Sequence, residues 1–176
     1  MHEVLQGAPS GSLYKYDIKT KNTEKLLDGL YFANGVQLST NEEFLLVVEN
    51  TKLRVLKYHL QGPQVGKTEV FTEMPGSPDN IRFDKKRGVY WVGISTPRSG
   101  LIEFLANNPI VRYHLAKLPQ WVLLAVAKPG MAVAISEEGN IVDTLQGVKF
   151  ISEIHRHEDY LLMGSFINPF ILQYKD

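Results

Sequence analysis

Apolar and polar positions alternate along most of the chain, and the alternation has the two-residue period of β-strands rather than the 3.6-residue period of helices. "GSLYKYDI" sets Leu13, Tyr14, Tyr16 and Ile18 among polar residues, and "EKLLDGL" reads as its returning strand. The stretch "FANGVQLSTNEEFLLVVENTKLRVLKYHL" predicts three strands, at Gly35–Leu38, Phe44–Glu49 and Leu53–Leu60, joined by short polar turns. A Pro-Gly turn then precedes Asp79-Asn80 and a short strand, and the turn Asp84–Gly88 leads into a strand from Val89. "MAVAISEEGNIVDTL" predicts a hairpin turning at Glu138-Gly139-Asn140.

One segment departs from this pattern. Leu101, Phe104 and Leu105, and then Val111, Leu115 and Leu118, fall at helical spacing. Asn108 before Pro109 is a cap followed by a first helical turn, and Pro119 should break or kink the helix. A helical insertion over about 100–125 is expected.

The strand units repeat. A shift of 45 residues superposes "NGVQLSTNEEFLLVVE" on "DNIRFDKKRGVYWVGI", matching Val36 to Ile81, Leu38 to Phe83, Phe44 to Val89, Val47 to Val92 and Asn34 to Asp79. A weaker copy, "SEIHRHEDYLLMGS", runs from Ser152 to Ser165. Strand–turn–strand units at a period near 45 predict propeller blades, each a four-stranded sheet; the alternative is a generic antiparallel sandwich. All 176 residues are expected to form one domain.

Composition removes several function classes. Formal net charge is zero and no run of five or more basic residues occurs, so nucleic acid is not an expected partner. With no cysteine, disulfides, thiol nucleophiles and cysteine zinc sites are excluded. The N-terminus has no apolar stretch of signal-peptide length, and the longest apolar run, Trp121–Ala127, is far below the ~20 residues of a membrane-spanning helix. The chain itself is therefore expected to be soluble. It has neither a phosphate-binding glycine loop nor a Gly-x-Ser-x-Gly nucleophile elbow.

The candidate chemistry lies at strand entrances. Asn34 in "FANG" and Asp79-Asn80 in "SPDN" occupy matching places in neighbouring repeats. Matching loops of adjacent blades would bring their oxygens together to contact a metal or a substrate; the competing reading is that all three satisfy turn backbone. His155 and His157 alternate on one strand and share a face; such a pair can ligate a metal or act as a general base, but no third ligand has matching spacing, and exposed or hydrogen-bonded structural roles are expected. Glu49, Arg82 and Arg98 read as solvated loop and strand-end charges, the alternative being that they line the channel mouth, and Phe83, Tyr90 and Trp91 read as blade core rather than a ligand cage.

"LLDGLYFANGVQLS", "EMPGSPDNIRFD", "YWVGIST" and "ISEIHRHEDYLLMGSFINPFI" resemble the strictosidine synthase-like family across essentially the whole chain. The resemblance implies an all-β six-bladed propeller, more distantly similar to paraoxonases and calcium-dependent lactonases. It further implies that the chain matches the C-terminal blades only, with a membrane anchor and earlier blades upstream in full-length relatives. Asn34, Asp79 and Asn80 resemble calcium ligands at the top of the central channel, with the remaining ligands and the catalytic histidines supplied by earlier blades, so that the calcium site is incomplete here. The implied activity is calcium-assisted hydrolysis of small-molecule esters or lactones, of arylesterase type; the alternative is a non-catalytic, membrane-associated binding propeller. The glutamate that strictosidine synthases use as acid/base aligns with Ser152. Glu153 is one place off and is expected to face the opposite way, which disfavours amine–aldehyde condensation.

Overall fold

The computed structural model describes residues 7–100, 104, 108–115, 117 and 128–175. Thirteen strands among them form four antiparallel sheets, each a simple meander. The hairpin of β1 (Gly11–Tyr16) and β2 (Thr23–Leu30) comes first. A four-stranded sheet follows: β3 (Ala33–Leu38), β4 (Phe44–Glu49), β5 (Arg54–His59) and β6 (Thr68–Glu73). The next holds β7 (Gly76–Asp84), β8 (Val89–Pro97), β9 (Pro129–Ile135) and β10 (Ile141–Lys149), and the last holds β11 (Ile151–His157), β12 (Tyr160–Ser165) and β13 (Leu172–Lys175). The innermost strands β3, β7 and β11 lie side by side, so the sheets are consecutive blades around a common axis. The chain is a partial propeller and not a two-layer sandwich.

Period-two alternation explains how each blade binds both neighbours. On β8, Tyr90, Val92 and Ile94 join Leu46, Val48, Val55, Ile81, Val133 and Ile135 in one core. Val89 and Trp91 point the other way, into a second core with Ile151, Ile154, Leu161 and Met163. Both faces of β8 are buried, which is why it reads as an unbroken apolar run. A third core joins Leu13 and Leu30 of the first hairpin to Val47 and Leu56.

The 45-residue repeat is real to the residue: Val36 opposes Val47 just as Ile81 opposes Val92. Burial breaks the equivalence. Ile81 is fully buried against the four-stranded blade before it, whereas Val36, beside the two-stranded sheet of β1 and β2, is 41% exposed.

Blades are also tied by polar contacts. Asp84 is buried and accepts from Arg156 of the next blade at 2.5 Å, from Trp91 Nε1 at 3.1 Å, and from the backbone N–H groups of Lys86 and Arg87. Burial pulls its carboxyl up, but these donors outweigh that and hold it below the usual carboxylate range.

Two strands, β6 and β13, go beyond the sequence reading. Of the helical insertion expected over about 100–125, the described residues contain one short helix, α1 (Pro109–Leu115), with Asn108 just before it and its side-chain amide bonded to Phe104 O at 2.7 Å. Most of that segment lies outside the described residues, and an insertion helical throughout is not shown.

Candidate functional site

Asn34 and Asp79 lie within strands, not in the loops leading to them. Opposite the two-residue step Glu49–Val47 on β4, β3 spans three residues from Ala33 to Val36; β7 does the same from Pro78 to Ile81 opposite Ile94–Val92. Each inner strand therefore carries one extra residue, a β-bulge at Asn34-Gly35 and at Asp79-Asn80. Bulges re-aim side chains and bend the strand locally. The bulges also let the two inner strands approach closely. A Cβ on Gly35 would lie 2.7 Å from Ile81 N and 2.8 Å from Asn80 Cα, so only glycine fits there.

The Asn34 side-chain amide donates a short hydrogen bond to Asp79 Oδ1 across the blade boundary. Asp79 is partly buried, and burial pushes its carboxyl up to about 6, with Asn34 pulling down and the nearby Glu153 charge pushing further up. Asn80 is partly buried beside them and makes no side-chain hydrogen bond among the described residues. The structure thus brings Asn34 and Asp79 together and leaves Asn80 adjacent without a shared contact.

Glu153 corrects the sequence reading. Opposite the single step Ser165–Gly164 on β12, β11 advances two residues, from Ile151 to Glu153, so the extra residue is Ser152. That bulge cancels the one-residue offset expected to turn Glu153 away. Ser152 Oγ bonds Gly164 O at 3.4 Å, while Glu153 faces β7 and pairs with Arg82 Nε at 2.8 Å. Burial raises the Glu153 carboxyl; Arg82 and His155 act against it. Arg82, expected as a solvated charge, is the counter-ion of this carboxylate.

The other expectations divide. Glu49 is not solvated: it is 1% exposed, pairs with Arg54 at 2.6 Å and accepts from Tyr31 N–H at 2.8 Å. Arg98 is exposed, as are His155 and His157. Tyr90 and Trp91 are core, as expected. A pocket of 410 Å³ lies farther along the inner strands, walled by Phe83, Asp84, His155 and Arg156, and excludes Asn34, Asp79 and Asn80. The pairing of Glu153 with Arg82 escapes sequence reasoning because a bulge leaves no mark in the alternation of so short a strand.

The arrangement is a partly desolvated polar cluster: one carboxylate bonded to an amide, beside a second carboxylate held by a guanidinium. Among the described residues no group of three or more histidine, aspartate, glutamate or cysteine side chains could hold a metal.

The strictosidine synthase family model matches residues 1–63. The chain is 37% identical over 180 residues to the adipocyte plasma membrane-associated protein of Rattus norvegicus, covering 96% of this chain and 48% of that protein. It is 39% identical over 148 residues to the strictosidine synthase-like 13 protein of Arabidopsis thaliana, covering 81% and 36%. Among solved structures, a gluconolactonase of Xanthomonas campestris superposes with a TM-score of 0.60 at 14% identity, over 88% of this chain and 41% of that one. The calcium-binding protein regucalcin of Agrobacterium tumefaciens superposes with a TM-score of 0.56 at 14% identity, over 92% and 48%. At these identities the structures attest the six-bladed propeller fold alone. The chain spans about half the length of the curated relatives it matches.

Proposed function

Because this chain belongs to the strictosidine synthase-like family, we propose that its bulged inner strands form part of the channel site of a calcium-assisted hydrolase of small-molecule esters or lactones. The observation that carries the reading is the cross-blade pair of Asn34 and Asp79 beside Glu153 and Arg82. The gluconolactonase and calcium-binding names attached to similar folds support it.

The donor set suits a hard cation. Asp79 would supply a carboxylate, and Asn34 and Asn80 amide oxygens, toward the six to eight oxygens that calcium takes. Desolvation that now works against the Asp79 charge would be relieved by a cation. A bound calcium supplies Lewis-acid polarisation of a carbonyl. The chain's own residues do the rest: Asn34 fixes the Asp79 carboxylate, and Arg82 keeps Glu153 ionised and aimed, so that Glu153 can take a proton from an attacking water. The relatives' plasma-membrane association supports a membrane-side location for the whole protein.

The test is hydrolysis of an aryl acetate and of a δ-lactone by the protein with and without calcium. Calcium-dependent turnover lost in Glu153→Gln and Asp79→Ala supports the reading; turnover indifferent to both overturns it. The placement of Glu153 also favours a second reading, condensation of an arylethylamine with an aldehyde, and product formation from that pair abolished by Glu153→Gln would replace the first.

A further inference from the structure

The two ends of the blade stack differ in chemistry. Each blade is an antiparallel meander, so its connections alternate between the end where β3, β7 and β11 begin and the end where they finish. The finishing end has tight turns carrying both signs of charge, including Glu42, Lys85, Lys86, Glu137 and Asp159. The beginning end carries the β8–β9 connection with α1, the Lys149-Phe150 corner and the loop between β12 and β13.

Apolar side chains stand exposed there. Phe166 is 58% exposed, Phe170 52% and Ile171 68%, and Phe150 packs on Phe166 with ring centroids 5.3 Å apart. Ile110 of α1 is 75% exposed and Tyr113 61%. Among the described corner side chains of this end, every formal charge is positive: Lys52, Arg98, Lys117 and Lys128. At the strand ends beside them, Glu49 is paired with Arg54, and Glu73 and Lys149 offset one another. The other end also exposes apolar residues, among them Ile18, Val65 and Val142, but they stand there among charges of both signs; exposed apolar side chains accompanied by cations alone have the composition of an interfacial surface.

We propose that this end of the propeller is a peripheral docking surface for an anionic lipid bilayer, with Phe166, Phe170 and Ile171 entering the headgroup region and Lys52, Lys117 and Lys128 meeting lipid phosphates. Exposed aromatics supply the apolar area, and cations within a Debye length of the surface supply attraction to anionic lipid. The proposal deepens the membrane-side reading above by assigning it a face. It is independent of the catalytic reading, since vesicle binding reads the face and ester hydrolysis reads the channel. Asn34 and Asp79 lie near the same end, so a docked molecule turns the candidate site toward the bilayer.

The test is co-sedimentation of the full chain with phosphatidylcholine vesicles, with and without about 30% phosphatidylserine. Binding to the anionic vesicles should be roughly tenfold tighter and should weaken in about 0.5 M salt. Phe166→Asp with Phe170→Asp should lower it by at least about tenfold. Val65→Asp, at an exposed apolar residue of the opposite end, should leave it unchanged. Should the double aspartate variant fail to fold, Lys117→Glu with Lys128→Glu carries the same expectation for anionic vesicles alone. No binding to anionic vesicles, or binding that these variants leave intact, overturns the proposal. So does a dimer in light scattering that the Phe166 and Phe170 substitutions dissolve, which would make the face a contact between copies.

Discussion

Asn34 and Asp79, forty-five residues apart, occupy the same bulge of successive blades and are joined by a hydrogen bond between their side chains. The repeat that makes the fold thereby places a desolvated carboxylate opposite an amide. Burial raises the Asp79 carboxyl from 3.8 to about 6, so the folded state binds its proton more tightly than the unfolded chain does. The stabilisation from the protonated form is complete below about pH 4 and is lost as pH rises through 6. Asp79→Asn, which keeps the acceptor for Asn34, should be neutral near pH 4. It should stabilise by about 1–2 kcal/mol at pH 8, after allowance for solvent screening. Denaturant melts at the two pH values check this, and an equal effect at both would contradict it.

Gly35→Ala tests whether the close approach of β3 and β7 positions the pair. The added methyl would sit 2.7 Å from Ile81 N, against backbone that cannot rotate away. A cost of about 1–3 kcal/mol is expected, as for overpacking elsewhere. The Asp79 proton affinity should change with it, because the Asn34 contact depends on that spacing. A thermal melt with a side-chain carboxyl titration by NMR reads both.

The blades are legible in the sequence because the fold repeats them: the 45-residue shift aligns the very pairs, Val36–Val47 and Ile81–Val92, that the strands form. The outer strand β6 is not, since "TEVFTE" exposes four of its six residues and carries little alternating contrast. Asn34 and Asp79 stand out as residues but read as loop positions, because Pro75-Gly76 looks like a turn and is in fact the run into β7. Glu153 reads onto the wrong face. Its orientation depends on the bulge at Ser152, which arises from close packing: a Cβ on Gly93 of β8 would lie 2.8 Å from the Ser152 carbonyl. That is a tertiary cause with no local signature.

Arg82→Met examines the counter-ion of Glu153. The 2.8 Å pair is partly exposed, with side-chain exposures of 43% and 31%, so its loss should cost only about 1 kcal/mol of stability. The effect on the carboxylate should be larger in kind: the raised Glu153 carboxyl loses the nearest group holding it ionised and rises further. If Glu153 is the base, the acidic limb of the pH–rate profile moves upward and hydrolysis near neutrality falls by at least about tenfold. Arg82→Lys should restore part of the activity. An unchanged profile would separate the ion pair from catalysis.

Tyr90→Phe addresses a polar atom that the blade core leaves alone. Tyr90 is fully buried between Phe71 and Phe83, with ring centroids at 6.5 and 4.9 Å, and its hydroxyl has no hydrogen-bond partner among the described residues. Burial and the charge of Glu137 push the phenol up to about 12, so it stays neutral and protonated across the working range. An unpaired buried hydroxyl costs about 1–3 kcal/mol of desolvation, whereas the ring contributes apolar burial that phenylalanine retains. The substitution removes the cost and keeps the packing, leaving a void smaller than a methylene. Stability should rise by about 1 kcal/mol at any pH between about 5 and 9. A denaturant midpoint that falls instead would show that the hydroxyl is satisfied in solution, and an ordered water bridging toward Glu137 would be the first partner to look for.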